Sequence, residues 1–145
     1  AWAWDSMSHM TDAEIRDSVR KTSEAIARYS GKEPRFFRPP NLAVSDAMHD
    51  AVGLPFVGGV TGRDWAGCGT SAETRARLVL SLMRDGAIIL LHDVQPYPHP
   101  TPEALDILIP ELKRRGYEFV TMSELFARKG VTPDPKAHRL WDYVE

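Results

Sequence analysis

Apolar positions along this chain switch between helical spacing and short continuous runs. Ile15, Val19, Ile26 and Tyr29 recur at helical spacing between a capping box, Thr11 with Glu14, and a stop at Gly31, which predicts a first helix with its charges facing solvent. Phe36-Phe37 read as a very short strand, ended by Arg38-Pro39-Pro40 because neither proline can donate to a ladder. Ser45 caps a short helix through Met48 to about Val52, Gly53 closes it, and Pro55 to Val60 read as another strand. Thr70 with Glu73 forms a second capping box before a stripe of Ala72, Ala76, Val79, Leu80 and Met83. Gly86 then opens the run Ala87 to Leu91, apolar throughout and followed by His92-Asp93, the look of a strand covered on both faces in a parallel sheet. Past a stiff, proline-rich rim loop from Val94 to Thr101, Thr101 caps a helix, Pro102 takes its first position, and Leu105, Leu108, Ile109 and Leu112 form its stripe. Pro110 should kink this helix and Gly116 stop it. Tyr117 to Val120 read as a strand, Thr121 with Glu124 start a last helix running to Gly130, and Leu140-Trp141 of the tail pack back on the body.

Repeated strand, loop and helix units predict an α/β fold with a parallel sheet, open or barrel-like. Closing a barrel takes about 8 strands in the common case. The four visible here leave either an open sheet or a barrel whose other strands are missing from this chain, and uncovered edges of that kind predict a partner or a swapped dimer.

Composition narrows the function classes. At 145 residues the chain is about one domain, and a net charge of -2 supplies no basic field for nucleic acid. Cys68 is the single cysteine, which excludes an internal disulfide and any cysteine-spaced zinc site. No apolar run approaches the ~20 residues of a membrane helix. Trp2 and Trp4, large aromatics at an extreme terminus, predict burial by something that precedes or covers them.

Candidate chemistry gathers at predicted strand ends, where α/β folds hold their reactive loops. His92 ends the Ala87 to Leu91 strand and is a candidate acid or base. Asp64 and Trp65 lie in the glycine-rich loop Gly62 to Gly69, which can aim an acid and an indole at one point. Arg38 ends the Phe36-Phe37 strand, and a guanidinium is a natural partner for a buried carboxylate. His9 and His49 read as solvated, His99 as part of the rim loop, His138 as tail and Cys68 as inert.

Phe37-Arg38-Pro39-Pro40, Asp64-Trp65 and Ile89-Leu90-Leu91-His92-Asp93 resemble the third, fourth and fifth motifs of the polysaccharide deacetylases, the NodB-homology domain of carbohydrate esterase family 4. The runs Gln95-Pro96 to Asp106 and Arg115 to Val120 are similar to acetylxylan esterase modules of cellulosomal xylanases. The resemblance implies the later part of a distorted (β/α) barrel, incomplete in this chain: residues 1–145 as the C-terminal portion of a NodB-homology domain, with a tail at 131–145. It implies hydrolysis of acetyl groups on a polysaccharide, xylan before others, by water on a divalent metal, zinc or cobalt. On that basis His92 is the general acid for the leaving sugar oxygen, Asp64 holds its imidazolium, Arg38 orients the aspartate base, and Trp65 with Leu90 walls the acetyl pocket. Secretion is implied likewise.

Departures from the family pattern matter as much. The first motif, Thr-Phe-Asp-Asp-Gly-Pro, which carries the base and a metal-ligand aspartate, does not occur. The second, His-Ser/Thr-Trp-x-x-His with variants in its spacing, overlaps the start of the chain either with Trp4 at its second histidine or with Trp2 and Ser6 at both, and neither frame leaves a metal ligand. Three explanations stand: a fragment of a longer esterase, an earlier half supplied by another chain, or a natural truncation. The alternative function is a metal-free, inactive remnant that only binds carbohydrate.

Overall fold

The computed structural model describes residue 2 and residues 7–65, 71–92 and 100–145. In chain order its elements are α1 (Asp12–Ser30), α2 (Asp46–Val52), β1 (Phe56–Val57), β2 (Val60–Thr61), α3 (Ala72–Leu82), β3 (Ile89–Leu90), α4 (Thr101–Arg114), α5 (Met122–Arg128) and β4 (Leu140–Trp141). Short 3-10 turns lie at Met7–His9, Pro40–Leu42 and Pro135–Ala137. The strands pair in parallel, so the α/β class read from periodicity is the one observed. Backbone contacts divide the chain into two compact units, Ala1–Gly58 with Thr132–Trp141 and Gly59–Val131 with Asp142–Glu145. Expectations for Trp4, Ser6, Cys68, Thr70, Asp93, Tyr97, His99 and the rim loop fall outside the described residues.

In the first unit the helix signals hold. The Thr11 hydroxyl accepts from Glu14 N, the Glu14 carboxylate accepts from Thr11 N at 2.8 Å, and Gly31 ends α1 in the left-handed region at φ 69. The apolar stripe is shorter than its spacing suggests. Ile15 is buried, but Ile26 and Tyr29 reach solvent, because only the first half of α1 meets the core of Met7, Met48, Val52 and Phe56. Ser45 and Gly53 cap α2 as expected. Phe36-Phe37 reduces to a single bridge, Phe37 to Phe56, while the Leu140-Trp141 tail becomes strand β4, in register with β1. Trp2 is 60% exposed in this chain taken alone, and its main-chain N–H donates to Ser18 Oγ at 2.9 Å.

The second unit packs α3 and α4 over the β2–β3 pair. Val60, Ala76, Val79 and Leu108 are buried together, with Leu80, Leu91 and Leu105 around them. The expected Pro55 to Val60 strand is cut in two at Gly58-Gly59, where Gly59 takes φ 147 and a Cβ would sit 2.9 Å from the Ile88 carbonyl oxygen. The cap of α3 is Ser71, whose hydroxyl accepts from Thr74 N at 3.2 Å, in place of the expected Thr70. Thr101 is the first residue of α4 instead of its cap, and the helix runs unbroken through Pro110. Tyr117 to Val120 forms no strand among the described residues, and Phe119 stands exposed. The Thr121 and Glu124 box opens α5 as read.

His49 departs from its reading as solvated, and His138 of the tail packs against it. His49 is 4% exposed, stacked 4.0 Å from Phe56 on one face and 5.0 Å from the His138 ring on the other. His138 places Nδ1 3.1 Å from Asp46 Oδ1 and Nε2 2.9 Å from Asp50 Oδ1. Carboxylates only accept, so the two contacts together favour a ring protonated on both nitrogens, an imidazolium. The Asp50 hydrogen bond, then that of Asp46, raises the His138 pKa above the ordinary value, whereas burial and then the neighbouring His138 charge lower that of His49. A histidine whose folded pKa is raised adds stability that is full below its unfolded value, about 6.5, and is lost as pH rises through the folded one. The gap in urea midpoint between the parent chain and His138→Gln is therefore expected to be widest near pH 6 and to close toward pH 9, as followed by circular dichroism. An equal gap at both ends would contradict the imidazolium.

Candidate active site

Parallel pairing brings two distant residues to one edge. β2 and β3 are in register with Val60 opposite Ile89 and Thr61 opposite Leu90. Both strands run in the same direction, so the residues that follow them, Asp64 and His92, emerge at the same end. Gly62 continues from β2, Arg63 turns the chain at φ 55 in the left-handed region, and Asp64 follows inside a turn. His92 lies two residues past Leu90.

The Asp64 carboxylate is completely buried. Its Oδ1 and Oδ2 lie 3.1 and 3.2 Å from Nδ1 of His92, and Oδ2 also accepts the main-chain N–H of His92. An acceptor-only group facing Nδ1 requires a proton there, which leaves Nε2 as the nitrogen not taken up by Asp64. The His92 side chain is 36% exposed, so the pair joins a buried anchor to an imidazole that solvent can reach. This arrangement can store a proton on the ring and deliver it outward, the geometry of a general acid or base.

The other expected residues are Leu90, Trp65 and Arg38. Leu90 is buried in β3, and Trp65, next to Asp64 in the chain, is 51% exposed and available as a contact surface. Arg38 belongs to the first unit. There it follows the Phe37 bridge and borders a cavity of about 180 Å³ with Ile26, Pro34, Phe36, Phe37 and Leu54. Its side chain reaches the surface, yet surrounding protein atoms lower its guanidinium pKa below the usual arginine value. Arg38 makes no ion pair among the described residues. One residue escaped the sequence reading. Arg75, on α3 and 1% exposed, donates from Nη1 to the main-chain oxygen of Asp64 at 2.9 Å. The available signal was its position beside Ala76 and one turn before Val79, on the buried side of a stripe read as purely apolar.

The described residues do not fit a metal ion. No group of three or more His, Cys, Asp or Glu among them is arranged to hold one, and the His92 nitrogen nearest an acid is committed to Asp64.

Fold and site together define an α/β protein with a buried aspartate bonded to a solvent-reaching imidazole at the tip of a parallel strand pair. Comparison with known proteins carries this further. The sequence signature of the polysaccharide deacetylase family matches residues 1–54. A family 4 acetyl xylan esterase from Clostridium thermocellum, solved with a cobalt ion, superposes with a TM-score of 0.94 at 54% identity, over 99% of this chain and 69% of that one. The Xyl-CE4 domain of a multidomain xylanase from the hindgut metagenome of Trinervitermes trinervoides gives 0.91 at 38% identity, over 98% and 68%. A bifunctional xylanase/deacetylase of Pseudobutyrivibrio xylanivorans is 40% identical over 145 residues, and the chain spans only 24% of its length. The chain belongs to the polysaccharide deacetylases of carbohydrate esterase family 4 and spans part of the length of its (β/α)-barrel members.

The buried carboxylate is the feature most open to direct measurement. Asp64→Asn replaces two charge-accepting oxygens with one amide oxygen and one N–H that opposes the ring, and is expected to cost about 1–3 kcal/mol of stability in urea titration. A change near zero would show that the pair is not formed.

Proposed function

We infer that this chain, as the later part of a NodB-homology domain, carries the proton-donating half of an active site that removes acetyl groups from a polysaccharide, acetylated xylan first among them. The observation that carries this reading is the Asp64–His92 pair, with Nδ1 fixed on a buried carboxylate and the imidazole open to solvent. The xylan-linked names of three relatives support the substrate class.

The chemistry follows from the pair. Hydrolysis of an acetyl ester ends when the carbon–oxygen bond to the sugar breaks and the departing alkoxide takes a proton. His92, protonated on both nitrogens, gives up the Nε2 proton to that oxygen. Nδ1–H stays on Asp64, whose negative charge stabilises the imidazolium until the proton leaves. Trp65, exposed beside Asp64, offers an apolar face for a sugar ring or acetyl methyl. Attack on the acyl carbon is not assigned to any residue described here, and a divalent metal such as the cobalt of the Clostridium thermocellum esterase would be held by other groups. A polymer as large as xylan places the site of action outside the cell.

Acetate release from acetylated xylan, with N-acetylated chitooligosaccharide as the contrasting substrate, tests the reading in the presence of added cobalt. Turnover on xylan is expected to exceed that on the amide substrate. His92→Ala is expected to lose ~10²-fold or more in kcat. Equal rates for the parent and His92→Ala would remove His92 from the reaction, and absence of acetate from either substrate would reduce the chain to a binding remnant.

A further inference from the structure

Taking a guanidinium out of water costs several kcal/mol unless its donors are met, so a buried arginine needs a structural reason. Arg75 is 1% exposed, and its Nη1 donates at 2.9 Å to the main-chain oxygen of Asp64, the residue whose carboxylate holds His92. The segment it grips is under strain. Arg63, immediately before Asp64, stands at φ 55, a conformation that costs a residue with a Cβ about 1–2 kcal/mol. Such a turn relaxes unless its surroundings hold it.

A second contact brings the same helix to the same segment. A Cβ at Gly62 would lie 2.8 Å from the carbonyl oxygen of Arg75 and 3.2 Å from its Cα, so the backbone of α3 approaches closely only because residue 62 is glycine. Close approach at 62, strain at 63 and a guanidinium on the carbonyl of 64 form one device. Its output is the direction in which the Asp64 side chain leaves the backbone. Arginine suits the task because its charge is permanent and its planar fork fixes the donor direction, which a lysine ammonium does not.

We propose that Arg75 is a positioning residue, which sets the Asp64 main chain so that the carboxylate meets Nδ1 of His92. It acts through Asp64 and touches no reacting atom. The functional meaning rests on the reading of His92 as the acid, but the positioning itself can be measured without turnover.

The experiment is imidazole 15N NMR on the full 145-residue chain at a pH where the His92 ring is neutral. Asp64 selects the Nδ1–H tautomer, whereas a free histidine ring favours Nε2–H. Arg75→Met fills a similar volume without a donor, and exchange of a buried charge for an apolar group is often tolerated by a fold. A folded Arg75→Met chain is expected to move the His92 signal to the Nε2–H form. Arg75→Gln, too short to reach the Asp64 carbonyl, serves as the second variant and is expected to do the same. A parental tautomer in either folded variant would overturn the proposal, and so would unfolding of both, which would assign Arg75 to the fold. Loss of acid catalysis in His92→Ala bears on the reaction alone, so the two claims fail separately.

Discussion

A carboxylate removed entirely from water must be met by donors, and the second unit is arranged round one such group. Asp64 receives the ring and the main-chain N–H of His92, so a single side chain fixes both the orientation of the imidazole and the path of the strand end that carries it. The two residues are 28 apart in sequence, and only the parallel β2–β3 register puts their strand ends side by side. The chemistry thus depends on a sheet of two short strands holding its register. A slip by one residue would turn every side chain of β3 to the opposite face and withdraw His92 from its acceptor.

Local signals were legible in the sequence because their physics is local. The capping boxes at Thr11 and Thr121, the serine cap of α2 and the glycine stops at 31 and 53 satisfy helix ends through groups three or four residues away, and all are found where expected. His92 and Asp64 were legible for another reason: strand ends in α/β folds are where polar side chains can stay both fixed and accessible. What escaped the sequence depends on partners far along the chain. His49 lies buried because Phe56 and His138 cover its two faces, and its helix position says nothing of either. Leu140-Trp141 makes a strand because β1 accepts it, whereas Tyr117 to Val120, with the better strand composition, has no partner among the described residues. Arg75 was hidden by the rule that a charge on a helix faces water, which fails where a main-chain carbonyl is buried opposite it.

Strands of two residues are too short to hold a register by their own hydrogen bonds, so the precision at the tips has to come from their bases. The last residues of the chain supply it. The Asp142 carboxylate accepts from Gly59 N at 2.6 Å, at the root of β2, while its carbonyl accepts from Ile88 N at 3.0 Å, at the root of β3. One residue therefore pins both strands at the ends away from the dyad. Tyr143 bridges Ala87, Val144 N donates to Gly86 O at 2.8 Å, and Arg84 pairs with Glu145 at 2.7 Å while lying over the Tyr143 ring. Gly86 permits this crossing, since a Cβ there would fall 1.9 Å from the Val144 carbonyl oxygen. Fixed at the base by Asp142 and at the tip by Asp64, each strand has no freedom to slide. The geometry of the Asp64–His92 pair is therefore set from both ends of the sheet, by two aspartates with unlike tasks: one is bonded to backbone N–H groups at the strand roots, the other holds an imidazole at the tips.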